Sequence, residues 1–294
     1  MLKLDLSSKN ALVTGVADDV GFAWSIAKSL QAAGATVYLA SHPRVTSIVD
    51  RFLNRDKYAE SRRLPHGVEG EFKPAALIPC DVEFDTAADV PEDRREAKGY
   101  KDVDASIEGA FKEYQRCSND APLDILVHSV AFSPEIQKGH LEVSRQAYLT
   151  AQSVSAYSLV SLTRAALPLM QGRDGSIVGL TYLASQRVTP GYGGGMASAK
   201  AALEQDARAL SWFAGERGVR VNLVSPGPYA SRAARSIGDM QQMVEEVRMR
   251  SPLRQAIDAQ DVADATTFLC SPFAQRITGA CIYVDAGFNI MNAV

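Results

Sequence analysis

The chain has 294 residues, of which 46% are hydrophobic and 22% charged, with a formal net charge of -3. That length suits one large α/β domain, and that composition an ordinary globular protein. The balance of charge gives no global case for nucleic acid or an anionic membrane as partner, and no apolar run nears the ~20 residues a membrane span needs. Residues 1–10 lead almost at once into a strand, leaving no room for a signal or transit peptide. The expected compartment is therefore the cytoplasm, or an organelle if a leader has been removed.

In chain order, Asn10 to Thr14 (NALVT) ends at Gly15 and predicts a buried first strand with its turn. A helix follows from about Trp24 to Ala33, closed by Gly34, and Thr36 to Ala40 is a second strand. Ala75 to Cys80, Asp124 to Ser129, Ser176 to Thr181, Val219 to Gly227 and Ala280 to Gly287 supply the third to the seventh. Amphipathic stretches over Tyr157 to Met170, Ala197 to Arg217 and Asp261 to Leu269 lie between the later strands. Strands alternating with helix-length segments predict an α/β fold, a doubly wound, Rossmann-like parallel sheet of seven strands spanning residues 1–294 as a single domain. Val45 to Pro74 and Glu83 to Lys101 are polar, weakly periodic and too long for ordinary connections, so surface excursions or extra short helices are expected there. Cys80, Cys117, Cys270 and Cys281 are widely spaced, form no CxxC pair and have no histidine at ligand spacing. They read as reduced thiols, and no metal site is expected.

After the first strand the chain runs Thr14-Gly15-Val16-Ala17-Asp18-Asp19-Val20-Gly21-Phe22-Ala23-Trp24. A glycine turn here lets the backbone approach a diphosphate at a helix N-terminus, where free N–H groups and the dipole favour anions. Only Gly15 and Gly21 of a GxGxxG pattern are present, so a purely structural turn is the alternative. The second strand ends in Ser41-His42-Pro43-Arg44, without the carboxylate that usually grips the adenosine ribose. Either the ribose is held otherwise or Arg44 faces a 2′-phosphate; a solvated arginine is the bland alternative. Asp81, with Val82 after it, is placed to accept from an adenine amino group or to cap a helix.

The stretch from Thr181 to Leu203 contains Tyr182, Tyr192 and Lys200. A common ketoreductase has Tyr and Lys four apart and a Ser about thirteen before the Tyr. Counting back from Lys200, those places hold Met196 and Leu183, so that arrangement fails twice. Instead Tyr192 precedes Lys200 by eight, across the run Gly193-Gly194-Gly195, which resists early helix formation.

The segment PGYGGGMASAKAALEQDAR resembles the active-site segment of plant, apicomplexan and chlamydial enoyl-acyl carrier protein reductases, divergent short-chain dehydrogenases/reductases. The likeness extends over nearly the whole chain, through VADDVGFAWSIAKSL, SRRLPHG, VPEDRREAKGY, DILVHSVAFSPE, RVNLVSPGPYASRAA and SPFAQRITGACIYVDAGFN, and it accounts for both long insertions. It implies hydride transfer from NADH, or NADPH, to the β-carbon of an enoyl thioester carried on acyl carrier protein. The expected catalytic residues are then Tyr192, the hydroxyl donor to the thioester oxygen, Lys200, the contact to the nicotinamide ribose, and Tyr182, which also walls the pocket. By the same likeness Gly15, Phe22, Ala23, Trp24, Asp81, Val82, Ser129, Val130, Ala131, Thr181, Pro228 and Ser231 approach the cofactor. Phe132 and Met196 meet the acyl chain, a lid covers about 228–254, and the assembly is a homotetramer. Arg232, Arg235, Arg248, Arg250 and Arg254, against Asp239, Glu245 and Glu246, leave the lid segment with an excess of two positive charges, suited either to an acidic carrier protein or simply to a solvated amphipathic helix.

The sequence departs from the plant-type pattern at Val20, Phe22 and Ala23, at Ala40-Ser41-His42, at Val130-Ala131-Phe132 and at Ser225-Pro226-Gly227-Pro228. All touch the expected cofactor or acyl pocket, so they bear on cofactor preference and acyl range more than on reaction type. Two other readings stand beside this one: a ketoreductase acting on an alcohol or ketone, and a non-catalytic dinucleotide sensor or scaffold.

Overall fold

In the computed structural model, which describes residues 4–230 and 240–292, seven strands pair in parallel in the order β3-β2-β1-β4-β5-β6-β7. They are β1 (Asn10–Thr14), β2 (Thr36–Ser41), β3 (Ala76–Pro79), β4 (Ile125–His128), β5 (Ser176–Leu180), β6 (Arg220–Pro226) and β7 (Cys281–Val284). The helices are α1 (Phe22–Ala32), α2 (Pro43–Asn54), α3 (Ala59–Arg62), α4 (Glu92–Arg95), α5 (Ile107–Ser118), α6 (Arg145–Gln152), α7 (Ser158–Met170), α8 (Met196–Gly215), α9 (Met240–Arg250) and α10 (Ala259–Cys270). Successive strand residues point to opposite faces, so Ala11 and Val13 join a core with α1, α2 and α10, while Leu12 joins another with α5, α7 and α8. Both faces are covered, which is why the strands are apolar throughout rather than alternating. This is the doubly wound, Rossmann-like sheet expected from the strand and helix alternation.

Element ends differ from expectation by one to three residues, but helices α2, α5 and α6 are new. Val45 to Pro74 is not merely irregular: it begins inside α2, which has Pro43 in its first turn and the ring of His42 accepting from Arg44 N at 3.2 Å. Its Val49 and Phe52 are buried, and Phe52 and Phe72 both meet Trp24 edge-on. Helix α5 starts at Ser106, whose hydroxyl accepts from Gly109 N, and stops at Asn119 in the left-handed region (φ 53). Its apolar face of Ile107, Ala110, Phe111 and Tyr114 is interleaved with charges that disguise it in the sequence. The helix expected to start at Tyr157 starts instead at Arg145 and passes through a π-helical turn, Ser153–Tyr157, before continuing as α7. Such turns insert one extra residue per turn and re-aim the side chains around them. The second insertion does form short helical pieces, wrapped on Phe84, Val90, Tyr100 and Ala105.

Strand β1 lies between β2 and β4, so the strand order reverses beside it. The crevice beyond the C-terminal ends of β1 and β4 is where open parallel sheets take ligands. Gly15, after β1, and Ser129, after β4, flank it so closely that a Cβ on Gly15 would stand 2.0 Å from the Ser129 carbonyl oxygen. Gly15 also has φ 79, so glycine is required here on both counts.

Candidate active site

Helix α1 begins at a glycine, Gly21, and has no side-chain cap and no acidic residue in its first turn. The N–H groups of Phe22, Ala23 and Trp24 therefore have no partner within the helix and sit at the positive end of its dipole. Trp24 offers only its backbone to a ligand, because its ring is in the core and its Nε1 donates to Ser61 O at 2.9 Å. The loop before α1 is tied down by Asp18, which accepts from Val20 N and Gly21 N at 3.0 and 2.7 Å. From the far side of the crevice Tyr229 donates its hydroxyl to Val20 O at 3.1 Å and lays its ring 5.1 Å from that of Phe22. An uncapped helix start beside a glycine that no other residue can replace fits the diphosphate of a dinucleotide.

At the adenosine end, Arg44 is exposed while His42 and Asp81 turn inward. Asp81 is buried and accepts from Tyr100 OH at 2.5 Å, stands 3.3 Å from His42 Nε2, and accepts from Glu83 N at 3.1 Å. Burial pushes this carboxyl upward, but the hydrogen bonds from His42 and Tyr100 outweigh it and hold it below the ordinary aspartate value. Asp81 thus closes an Asx turn rather than capping a helix, and it anchors the second insertion to the β2–α2 corner. The neighbouring Val82 is buried.

The catalytic half is built where β5 leads toward α8. Gly195 caps α8 in the left-handed region (φ 78), so Tyr192 lies in the loop and Lys200 inside the helix. The three glycines also permit close packing. A Cβ at Gly193 would stand 2.1 Å from Lys138 O, one at Gly194 2.4 Å from Ser133 Oγ, and one at Gly195 2.8 Å from the ring of Tyr148. Gly193 N and Gly194 N donate to Ile136 O and Lys138 O, and Ser133 Oγ donates to Gly194 O, stitching the loop to the segment after β4. Tyr192 packs against the cluster of Ala151, Met196 and Ala199, as does Ile136, and its ring lies 4.8 Å from that of Tyr182. Met196 is buried beneath Tyr192, and Phe132 is more than half exposed at the crevice side. Burial raises both phenols, Tyr182 to about 12 and Tyr192 further, with Tyr182 adding to the effect on Tyr192. Both are therefore neutral hydroxyl donors near pH 7.

Lys200 is only 4% exposed, and its Nζ donates to Leu180 O at 2.7 Å. Burial lowers the ammonium to about 8, against an opposing pull from Glu204. Across the sheet face, His128 is held neutral, lowered to about 3 by burial and by Lys200. Ser158, the first residue of α7, donates to Val154 O, so it accepts from His128 Nε2 at 2.7 Å, which fixes the tautomer. Ser155, in the preceding π turn, accepts from Phe132 N and ties that backbone to the turn. Thr181 follows β5 and donates to Glu204 at 3.0 Å.

Pro228 is buried and follows β6, whereas Ser231 lies outside the described residues, as do Arg232 and Arg235. Among the described residues no group of three or more His, Cys, Asp or Glu is placed to hold a metal ion, and all four cysteines are free thiols. No helix among them is long and apolar enough to cross a membrane.

A family profile described as enoyl-(acyl carrier protein) reductase matches residues 96–289. A rice chloroplastic relative, named enoyl-[acyl-carrier-protein] reductase [NADH] 2, is 45% identical over 99% of this chain and 77% of its own length. An Aquifex aeolicus relative named enoyl-[acyl-carrier-protein] reductase [NADH] is 35% identical over 97% of this chain and 93% of its own. The crystal structure of the Plasmodium berghei enoyl-acyl-carrier-protein reductase with triclosan superposes with a TM-score of 0.92 at 36% identity, covering 97% of this chain and 98% of that one. The chain belongs to the enoyl-acyl carrier protein reductase family.

Within that family frame, sequence reasoning missed Glu204, His128, Ser155 and Ser158. Glu204 had a signal: Lys200, Leu203, Glu204 and Ala207 are all buried, so a carboxylate stood on a core-facing helical stripe. The π turn had none, since nothing in Ser153–Tyr157 marks the extra residue.

Proposed function

We propose that the chain is an NADH-dependent enoyl-acyl carrier protein reductase of type II fatty-acid synthesis, working as one unit over residues 1–294. The observation that carries this reading is Tyr192 held in a glycine loop just before the helix that bears the buried Lys200, in a chain alike to such reductases along its whole length. When bound, the dihydronicotinamide supplies hydride to the β-carbon of a trans-2-enoyl thioester. Tyr192 donates to the thioester oxygen as negative charge gathers there, a contribution of the size of an oxyanion-hole donor, ~3 kcal/mol. Its burial keeps the phenol protonated and available for this. Tyr182 fixes the ring of Tyr192 from the side and walls the pocket, with Phe132 at its mouth and Met196 as its floor.

Lys200 keeps two N–H donors beyond its bond to Leu180 O, and these hold the nicotinamide ribose hydroxyls. Gly15 with the N–H groups of Phe22, Ala23 and Trp24 takes the diphosphate. Asp81 and Val82 border the adenine, and Ser129, Val130, Ala131, Thr181, Pro228 and Ser231 line the nicotinamide side. The segment about 228–254 serves as a lid that excludes water. Its arginines, Arg232, Arg235, Arg248, Arg250 and Arg254, steer the acidic carrier protein. A homotetramer in the stroma of a plastid-type organelle, or in the cytoplasm, completes the reading. The direct test follows NADH oxidation with crotonyl thioester, with acetoacetyl thioester and with neither. Oxidation with crotonyl thioester alone is expected; a preference for the acetoacetyl thioester, or no turnover with either, removes the assignment.

A further inference from the structure

Glu204 is a carboxylate with only 5% of its surface exposed, one helical turn beyond Lys200 on the same face of α8. A buried carboxylate is costly unless its oxygens are hydrogen-bonded. Here Oε1 accepts from Thr181 Oγ1 at 3.0 Å and from Ser185 Oγ at 2.5 Å, and Oε2 accepts from Gln186 Nε2 at 3.0 Å. The three donors bracket Tyr182 in sequence: Thr181 precedes it, Ser185 ends the short 3-10 turn Leu183–Ser185 and Gln186 follows that turn. Gln186 is itself held from β7, where Tyr283 OH donates to its Oε1 at 2.8 Å. Arg208, one turn further along α8, lies 3.7 Å from Oε2 and partly offsets the buried charge.

We propose that Glu204 is the positioning residue of the Tyr182 loop, a brace that ties both sides of Tyr182 to the helix bearing Lys200. It touches neither substrate nor cofactor. It acts through Tyr182, whose ring lies against Tyr192, so release of the loop lets the donor hydroxyl drift from the thioester oxygen. The kinetic part rests on the reductase reading above; the structural part does not.

The test pairs steady-state kinetics with tryptic cleavage after Arg187, an exposed residue one position beyond Gln186. Loss of bonds to a charged acceptor in Glu204→Ala should lower kcat about tenfold or more. The dissociation constant for NADH should stay within about twofold, and cleavage after Arg187, followed by mass spectrometry, should quicken about tenfold. Ser185→Ala, which removes one bond and folds in any case, should move both readouts the same way by a smaller factor. Glu204→Gln keeps an acceptor at Oε1, and Gln186 restores the other bond by turning its amide. It should therefore keep kcat within about threefold of the parent, with cleavage near the parental rate. The brace is overturned if Glu204→Ala or Ser185→Ala leaves cleavage after Arg187 unchanged. It is overturned equally if Glu204→Gln is as slow as Glu204→Ala without loosening the loop, because the residue would then act through its charge. A parent chain that reduces no enoyl thioester, with Arg187 still released in Glu204→Ala, would remove the reductase reading and keep the brace.

Discussion

The rings of Tyr182 and Tyr192 lie 4.8 Å apart with planes inclined at 56°, a tilted contact between two neutral phenols. Among the described residues neither hydroxyl meets a protein partner. The contact is made by the rings, and it should survive loss of the Tyr182 hydroxyl. Tyr182→Phe should keep kcat within about threefold, whereas Tyr182→Ala, which removes an aromatic contact of ~1 kcal/mol and opens the loop, should lower it about tenfold. Equal losses in both variants would mean that the Tyr182 hydroxyl itself takes part in the reaction.

Lys200 gives a prediction with a definite sign. Its folded value of about 8 lies below the ordinary 10.5, because burial disfavours the ammonium while Glu204 on α8 only partly opposes this. His128, facing it from β4, is neutral and adds no compensating charge. Between about pH 8 and 10.5 the unfolded chain binds the proton more tightly, so stability rises with pH through that window. The cost of the buried charge is greatest below pH 8. Lys200→Met should therefore melt about 2 °C or more above the parent at pH 7 without cofactor, with the gap closing toward pH 10. The same variant should bind NADH more weakly. A lower melting temperature at pH 7 would show that the bond to Leu180 O outweighs the cost of the charge.

The glycine run separates backbone strain from collision. Gly191 has φ 83 and open space where a Cβ would stand, so Gly191→Ala should cost only the left-handed penalty, roughly 1–2 kcal/mol. Gly194 has φ 61 and would also collide with Ser133 Oγ and the Ile136 backbone, which adds overpacking of roughly 1–3 kcal/mol. Urea denaturation should place Gly194→Ala well below Gly191→Ala. Equal midpoints would refute the close packing of this loop on residues 133–138.

Sequence and structure agree most closely where the physics is local. The apolar strands, the glycine after β1 and the interruption between Tyr192 and Lys200 are all legible, because chain direction and glycine content alone determine them. Helices α2 and α5 were hidden, since Phe52 and Phe111 lie among charges that solvent-facing positions tolerate. Asp81 was legible as a carboxylate at a strand end, but not its partners, because Tyr100 reaches it only through an insertion of many residues. The bonds of Glu204 to Thr181, Ser185 and Gln186 join two segments about twenty residues apart and follow only from the packing of α8 on β5. Residues that act on neighbours in sequence could be named in advance; those that act across the sheet could not.

Cofactor choice turns on the β2–α2 corner. With His42 turned toward Asp81 and Tyr100, no carboxylate faces a 2′-phosphate there, yet the exposed Arg44 is not fixed to receive one. The proposal predicts a higher kcat/KM with NADH than with NADPH, and a ratio that Arg44→Ala changes by less than about twofold. A tenfold preference for NADPH that disappears in Arg44→Ala would reverse the assignment, since a charge-assisted phosphate contact supplies ~1.5–3 kcal/mol.

The positive excess over residues 228–254, the proposed lid, predicts a salt-dependent partner effect. Arg248 is spent on Glu245 at 2.7 Å within α9, so steering falls to the other arginines. Charge reversal at Arg232 and Arg235 should raise KM for a carrier-linked enoyl substrate, most at low salt, and leave the coenzyme A thioester nearly unaffected. Equal effects on both substrates would assign these arginines to the pocket or the fold.

The central claim is that Tyr192 stabilises the thioester oxygen in the transition state. The measurement that tests it most directly is single-turnover reduction of a crotonyl thioester by NADH in the parent and in Tyr192→Phe, with NADH affinity titrated in parallel. Loss of one such donor should slow the chemical step about a hundredfold or more, lowering kcat and kcat/KM together and leaving NADH binding within about twofold. A Tyr192→Phe variant that reduces crotonyl thioester within twofold of the parental rate would contradict the account.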